Sequence, residues 1–439
     1  MLTRKAFLAR LGLVAGLLVL AGGAGATTTP DRAAAILVYP KIVVDSELGI
    51  DTIVQISNEA AQPADLHCFY VNANSHCTTT GLPCRTGSEC GPFGACVPGW
   101  SELDFSVRLT ADQPLYWLAS QGRNRGCAQS GDCEPLPLGG GFGVCSGAPI
   151  QCTSDSFCQA FSAGTCLNVG AGNAGTSVPP VPEDPFIGEL KCILVNPDGT
   201  PRAANWVAGQ ATIVRDASDP DVNVDAQSYA AIGIRAYFQC EGGDNHGMAC
   251  SSAAQCPDGN CVSPQNGDDI LVLGGPDSQR EYESCPSVLI ANHLFDGAPE
   301  PINGQPVVTD LTLVPCSQDF LLGSANQGFS TAQFLVFNEF EQRFSTSLPV
   351  RCFEETLLSN IDTRNNERSI FSVNVAGTVA GQSRIRGVGS GLLGVARLQL
   401  AGFPPQNPTL PWQGPGAGYN LHEEGQRNDA GQEDIVALP

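Results

Sequence analysis

Along Asp51–Ile56, Thr52, Val54 and Ile56 fall on one side of an extended chain and Ile53 and Gln55 on the other, and this period of two predicts a strand. Before it, Ala34–Val44 (AAILVYPKIVV) is β-rich and interrupted by Pro40, which predicts an edge strand crossing between sheets. After it, Asn58–Pro63 turns the chain and the apolar run Leu66–Val71 returns, so a hairpin is expected. Further strand-like runs follow at Leu103–Leu109, Leu115–Ala119 and Phe186–Val195.

The stretch Asp51–Val71 comes back near the C-terminus as Ala332–Phe353. Asn338-Glu339 answers Asn58-Glu59, Gln342 answers Gln62, and Cys352-Phe353 answers Cys68-Phe69. Matches in one order predict two related modules. The first is expected over residues 33–200, with cysteine-rich insertions at 72–100 and 123–182, and the second over 301–402 without them. Residues 201–300, with a further cysteine-rich insertion at 240–265, either extend the first module or form a small β unit. The tail, 403–439, is rich in Pro and Gly, with Asp434–Leu438 as a candidate last strand.

Fifty glycines and 32 prolines against 15% charged residues reinforce an all-β reading, because both residues interrupt helices. Residues 1–26 read as a signal peptide: Arg4, Lys5 and Arg10, then the apolar Leu11–Ala21, then Ala24-Gly25-Ala26. The apolar run is too short for a membrane span, which needs about 20 residues. Removing three basic and no acidic residues takes the net charge from −22 to −25. So acidic a chain is not expected to bind nucleic acid or anionic membranes.

All 19 cysteines follow the signal, and in an exported chain they predict disulfides. Three segments repeat one spacing: Cys77, Cys84, Cys90 and Cys96; Cys145, Cys152, Cys158 and Cys166; Cys240, Cys250, Cys256 and Cys261. Four cysteines allow three pairings, and spacing does not choose among them. Zinc is the rival, but no C-x-x-C pair is present. Cys127 with Cys133, and Cys68 with Cys192, are expected as further pairs, and the odd total leaves one cysteine over.

Asp219, Asp221, Asn223 and Asp225 alternate as calcium-loop oxygens do, yet Val224 and Ala230 stand where such a loop needs Gly and Glu. Calcium is therefore a candidate against a solvated turn, and no other cofactor is expected. Gly389-Ser390-Gly391-Leu392-Leu393-Gly394 spells a dinucleotide fingerprint, but a strand-like run follows it, so a turn or bulge is expected. No catalytic residues are assigned: none of His67, His76, His246, His293 and His422 lies in a catalytic motif. Of the tryptophans, Trp412 among prolines is the surface candidate for stacking on a sugar or partner.

The D-T-x-V-x-I-x-N strand at Asp51–Asn58, Cys68-Phe69-Tyr70-Val71-Asn72 and the P-x-x-x-D-P-F-x-G-E-L run at Pro180–Leu190 resemble an uncharacterised family of secreted bacterial proteins. These pair β-sandwich modules with cysteine-rich insertions, and the resemblance implies no activity. The expectation is an all-β protein of two related antiparallel immunoglobulin-like sandwiches with disulfide-rich loops. As function it is a non-catalytic exported protein for surface binding, adhesion or structure, taking an extracellular protein or glycan on the disulfide loops. The alternatives are a secreted hydrolase with a dispersed carboxylate site at the module boundary and a calcium-stabilised surface-layer component.

Overall fold

The computed structural model describes residues 32–439 apart from 85–86, 99–100, 124–142, 147–150, 153–157, 160–161, 163, 168–177, 216–224, 251, 263–269, 275–280, 303, 322–328, 363–367, 401–415 and 428–433. The chain is all-β, built from antiparallel sheets apart from a short parallel pairing of Gln318–Asp319 with Asp434–Ala437. Among the described residues no helix is long and apolar enough to cross a membrane.

The first sandwich contains β1 (Ile36–Val44), β2 (Ile50–Asn58), β3 (Ala64–Asn72), β4 (Ser101–Leu109), β5 (Pro114–Leu118), β6 (Phe186–Val195), β7 (Val207–Arg215), β8 (Asp225–Ala230) and β9 (Ile232–Ile234). Its sheets run β9-β1-β6-β3-β4 and β8-β7-β2-β5. The second contains β10 (Pro286–Leu294), β11 (Val307–Pro315), β12 (Phe329–Asn338), β13 (Arg343–Arg351), β14 (Glu354–Leu357), β15 (Ala380–Gly389), β16 (Leu392–Leu400), β17 (Gly416–Asn420) and β18 (His422–Gln426). Its sheets run β13-β12-β15-β10-β18 and β14-β11-β16-β17. Residues 201–300 are thus divided: β7, β8 and β9 complete the first sandwich and β10 opens the second.

Each sandwich closes on its own core, around Tyr70 and Trp117 in the first and Phe334 and Phe371 in the second. A third cluster joins them: Val38, Phe69 and Ile193 pack with Val314, Phe320 and Val436, and Phe69 stacks on Phe320 with centroids 4.1 Å apart. Burying each such side chain is worth about 1.5–3 kcal/mol. Because one face of β1 and β6 lines the first core and the other lines this shared cluster, both strands are apolar on both sides, as doubly covered strands are. Asp434–Ala437 docks here, between Ile270–Leu273 and Gln318–Asp319.

Two local expectations are corrected. The strands flanking Asn58–Pro63 do not form a hairpin: β2 pairs with β7 and β5, whereas β3 pairs with β6 and β4, so the turn crosses from one sheet to the other. In the C-terminal counterpart β12 and β13 do pair as a hairpin. Nor is β1 an edge strand. It lies between β9 and β6, and Pro40-Lys41 is accommodated by a register shift against β6 between Tyr39 and Ile42. Pro40 has no N–H to give a ladder, and the bulge re-aims Lys41 toward the second sandwich.

Candidate binding face

The outer face of β13-β12-β15-β10-β18 gathers side chains that no local sequence window shows together. Alternation buries Ala332, Phe334 and Val336 of β12 and turns Phe329, Thr331, Gln333, Leu335 and Phe337 outward. The pairing then sets rows across the strands. Arg343 of β13 stands opposite Phe337, which faces Gln382 of β15, which faces Asn292 of β10. The next row is Ser345, Leu335, Arg384 and Ile290, and the next Ser347, Gln333 and Arg386. Arg351 sits opposite Phe329 at the far end.

Four of the chain's 22 basic residues therefore share one face of a protein whose net charge is −22. Among the described residues, the outward positions of β13, β12, β15 and β10 carry no acid, and Glu424 of β18 lies at the edge. Arg384 lies over the Phe337 ring and Arg351 over Phe329, each 5.9 Å from the centroid. Such stacking holds guanidinium groups over apolar rings while leaving N–H donors outward. Phe329, Leu335 and Val388 are exposed, at 51%, 38% and 43%, an apolar content that marks a contact surface when contiguous.

Two hollows follow one another along these strands. A groove of about 680 Å³ is lined by Gln333, Leu335, Ser345, Ser347, Arg384 and Arg386. A hollow of about 570 Å³ lies farther along, where Asn292, His293, Phe337, Glu339 and Gln382 meet Leu398 and Tyr419 of the opposite sheet. Arg384 donates from Nε to Gln382 Oε1 at 3.3 Å, and Gln382 donates to Asn292 Oδ1 at 3.1 Å, so one hydrogen-bonded line joins the two.

The cysteine segments are compact ribbons. Cys77 bonds Cys90 and Cys84 bonds Cys96, while Cys240 bonds Cys256 and Cys250 bonds Cys261, a first-to-third, second-to-fourth order. In all three segments the first strand is central and the first and fourth cysteines stand opposite: Cys77 with Cys96, Cys145 with Cys166, Cys240 with Cys261. Of the middle segment, Cys152 ends a strand beside Gly143, and Cys158 is disulfide-bonded. Sulfurs of Cys77, Cys84 and Cys90 lie within 4.8 Å of one another, as a metal site requires, but each is already in an S–S bond. Cys68 bonds Cys192 across β3 and β6, and Cys285 bonds Cys316. Cys127 and Cys133 lie outside the described residues. The first ribbon exposes Leu82, Val97 and Phe93, the last at 94%.

The other sequence candidates are dispersed. Asp219, Asp221 and Asn223 lie outside the described residues, and Asp225 accepts from Gln227 at 2.6 Å and from Arg397 at 3.2 Å. Trp412 and Trp100 are also outside them, whereas Trp117 is core and donates to the Tyr70 hydroxyl. Gly389–Gly394 carries the chain from β15 in one sheet to β16 in the other. His76 pairs with Glu183, whose carboxyl is held below its usual range by His76, Asn72 and Asn74, and His67 lies 3.2 Å from Asp104. His293 meets Ser383 Oγ at 2.8 Å, but both are buried, and burial pushes the imidazole down to about 4. The arginine face escaped sequence reading, although Arg384-Ile385-Arg386 beside Ser345-Thr346-Ser347 is the alternating pattern that carries it. Compared with known proteins, the chain matches no family model and no curated sequence.

Proposed function

We propose that this chain is an exported, non-catalytic, disulfide-stabilised protein that binds an anionic extracellular glycan on the outward face of the second sandwich. The observation that carries this reading is the collection of Arg343, Arg351, Arg384 and Arg386 on one face of a strongly acidic chain. A solubility surface would mix the two signs, whereas a single-sign patch attracts the opposite charge. Ser345, Ser347, Gln333 and Gln382 supply groups that both donate and accept, as sugar hydroxyls do. Export is supported by the N-terminal 26 residues and the disulfides together. The disulfide ribbons, favoured by sequence as the contact surface, offer a sparsely charged apolar tip at Phe93 and serve here as a secondary contact.

Retention of the mature protein on an immobilised acidic polysaccharide, against a neutral one, tests the reading. The expected result is salt-sensitive retention on the acidic resin alone, lost in R343Q/R351Q/R384Q/R386Q. Retention unchanged by that variant, or none at all, would sink it.

A further inference from the structure

Resting on the glycan-binding reading above, we infer that the ligand lies lengthwise along β12, between β13 and β15. The class recognised is then an extended acidic polysaccharide chain, not a lone acidic sugar and not a chain crossing the strands.

The arginines flank one strand. Arg343 and Arg351 belong to β13 and Arg384 and Arg386 to β15, and β12 is hydrogen-bonded between the two. Neighbouring strands lie about 5 Å apart, so the two arginine rows are separated by about 10 Å, room for one chain laid over β12. The groove of about 680 Å³ occupies this position: Gln333 and Leu335 reach it from β12, Ser345 and Ser347 from β13, and Arg384 and Arg386 from β15, with Val288 of β10 beyond. Guanidinium and hydroxyl groups from both sides are the donors a carboxylate or sulfate takes.

Along the strands the cationic span runs from Arg343, opposite Phe337, to Arg351, opposite Phe329, about 27 Å at the rise of an extended strand. Both ends are anchored, because Arg384 lies over the Phe337 ring and Arg351 over Phe329. Between them the outward positions of β12 are Leu335, Gln333 and Thr331, so no charge interrupts the path.

Across the strands the field changes sign. Beyond β15, Val288, Ile290 and Asn292 of β10 are uncharged, and the exposed Glu424 of β18 stands opposite Val288. At the turn after β12, Glu339 and Glu341 are exposed, and Glu339 Oε2 accepts from the N–H of Val379 at 3.1 Å and of Ala380 at 3.3 Å. Carboxylates repel an anion, so a chain crossing the strands would pass from arginine onto glutamate, and one running past Phe337 would meet the turn. A chain along β12 avoids both. Contact with all four arginines then takes a chain of about 27 Å, whereas a disaccharide covers Arg384 and Arg386, about 7 Å apart along β15, and does not reach Arg351.

Binding of oligogalacturonates of defined length to the full mature protein at one fixed salt concentration tests this. Expected is at least a tenfold gain from disaccharide to hexasaccharide, and less than threefold from hexasaccharide to octasaccharide. R343Q/R351Q, at exposed positions the fold tolerates, weakens the hexasaccharide at least fivefold and the disaccharide less than twofold. Direction is read from two added charges: T331E on β12 weakens the hexasaccharide at least tenfold and N292E on β10 less than threefold, with unchanged thermal midpoints as the control. Equal affinity for disaccharide and hexasaccharide, a tenfold gain continuing to the octasaccharide, a loss from R343Q/R351Q shared by both lengths, or N292E as damaging as T331E overturns the lengthwise track and leaves the glycan reading standing. No binding of any of these acidic oligomers overturns both.

Discussion

Lys41 of the first sandwich and Asp310 of the second meet at 2.7 Å, with side chains 4% and 0% exposed, and Glu355 reaches the same ammonium at 2.9 Å. The contact exists because Pro40 forces a bulge in β1 that points Lys41 out of its own sandwich. Breaking a buried pair on one side strands the other charge at a cost of about 3–5 kcal/mol. K41M is therefore expected to lower the denaturation free energy by about that amount, whereas K41M/D310N/E355Q, which removes all three charges of this contact while the neighbouring buried Arg397 keeps Asp225 at 3.2 Å, recovers part of the loss. Guanidinium unfolding of the three proteins checks this, and a triple variant no better than K41M would show that the pair contributes geometry rather than charge.

Strand positions were legible because alternation and β-branched runs report which residues face a core. Partners were not. Period two says that Val54 and Ile56 share a face, but it does not say that β2 pairs with β7, more than 150 positions away, rather than with β3 across a six-residue turn. The arginine-bearing face was not legible for the same reason. Ser345, Leu335 and Arg384 become neighbours only through the register of three strands, and each alone reads as an ordinary outward residue of its own strand. The cysteine ribbons were legible as disulfide units, while their crossed connectivity is set by which strand lies at the centre.

Asn58 and Asn338, matched in sequence, make closely similar bonds although one turn crosses sheets and the other closes a hairpin, the i+4 acceptor being the main-chain carbonyl of Gln62 in one and the side-chain oxygen of Gln342 in the other. Each accepts at Oδ1 from the N–H two residues on, Ala60 or Phe340, and donates from Nδ2 to residue i+4 and to a distant carbonyl, Thr110 or Ala376. Both are buried, at 2% and 6%. Substitution by Ala leaves those groups unsatisfied, at about 1–3 kcal/mol per site. N58A and N338A are each expected to lower the thermal midpoint by several degrees, with the effects additive because the sites are in different modules. Aspartate, which keeps the acceptor and loses the donors, is expected to fall between.

Stability should rise as pH falls from about 8.5 toward 6. Burial raises Glu283 and Glu423 to about 8 and Glu354 to about 7. A carboxyl whose folded pKa exceeds its unfolded value stabilises the fold fully below the unfolded pKa, and that contribution is lost as pH rises through the folded one. His293, pushed down to about 4, works oppositely: its contribution is present above about 6.5 and fades below it. Thermal midpoints across this range therefore climb toward mild acid, and the climb becomes shallower below about 6.5, where His293 protonates in the unfolded chain and one histidine opposes the three carboxyls. E283Q/E423Q should flatten the upper limb, and a wild-type midpoint that rises with pH instead would remove these carboxyls from the account.

Cys352 carries a buried thiol, 6% exposed, which burial first and the charge of Glu189 second push up to about 11. A thiol that is both covered and protonated reacts slowly, because the thiolate is the nucleophile. Peptide mapping after alkylation of the native protein should therefore leave Cys352 unmodified, and alkylation in denaturant without reductant should modify it. The same map should contain Cys77 with Cys90, Cys84 with Cys96, Cys240 with Cys256, Cys250 with Cys261, Cys285 with Cys316 and Cys68 with Cys192. Of these, Cys68–Cys192 closes the longest loop, with a sequence separation of 124 against 12 for Cys84–Cys96. By loop entropy the first restrains the unfolded chain by about 5 kcal/mol and the second by about 3. C68A/C192A should then lower the midpoint of the whole protein. C84S/C96S should loosen one ribbon and leave the sandwich core intact, because Ser75–Pro98 packs a core of its own cysteines. A global loss from C84S/C96S equal to that from C68A/C192A would mean that the ribbons carry the sandwich rather than decorate it.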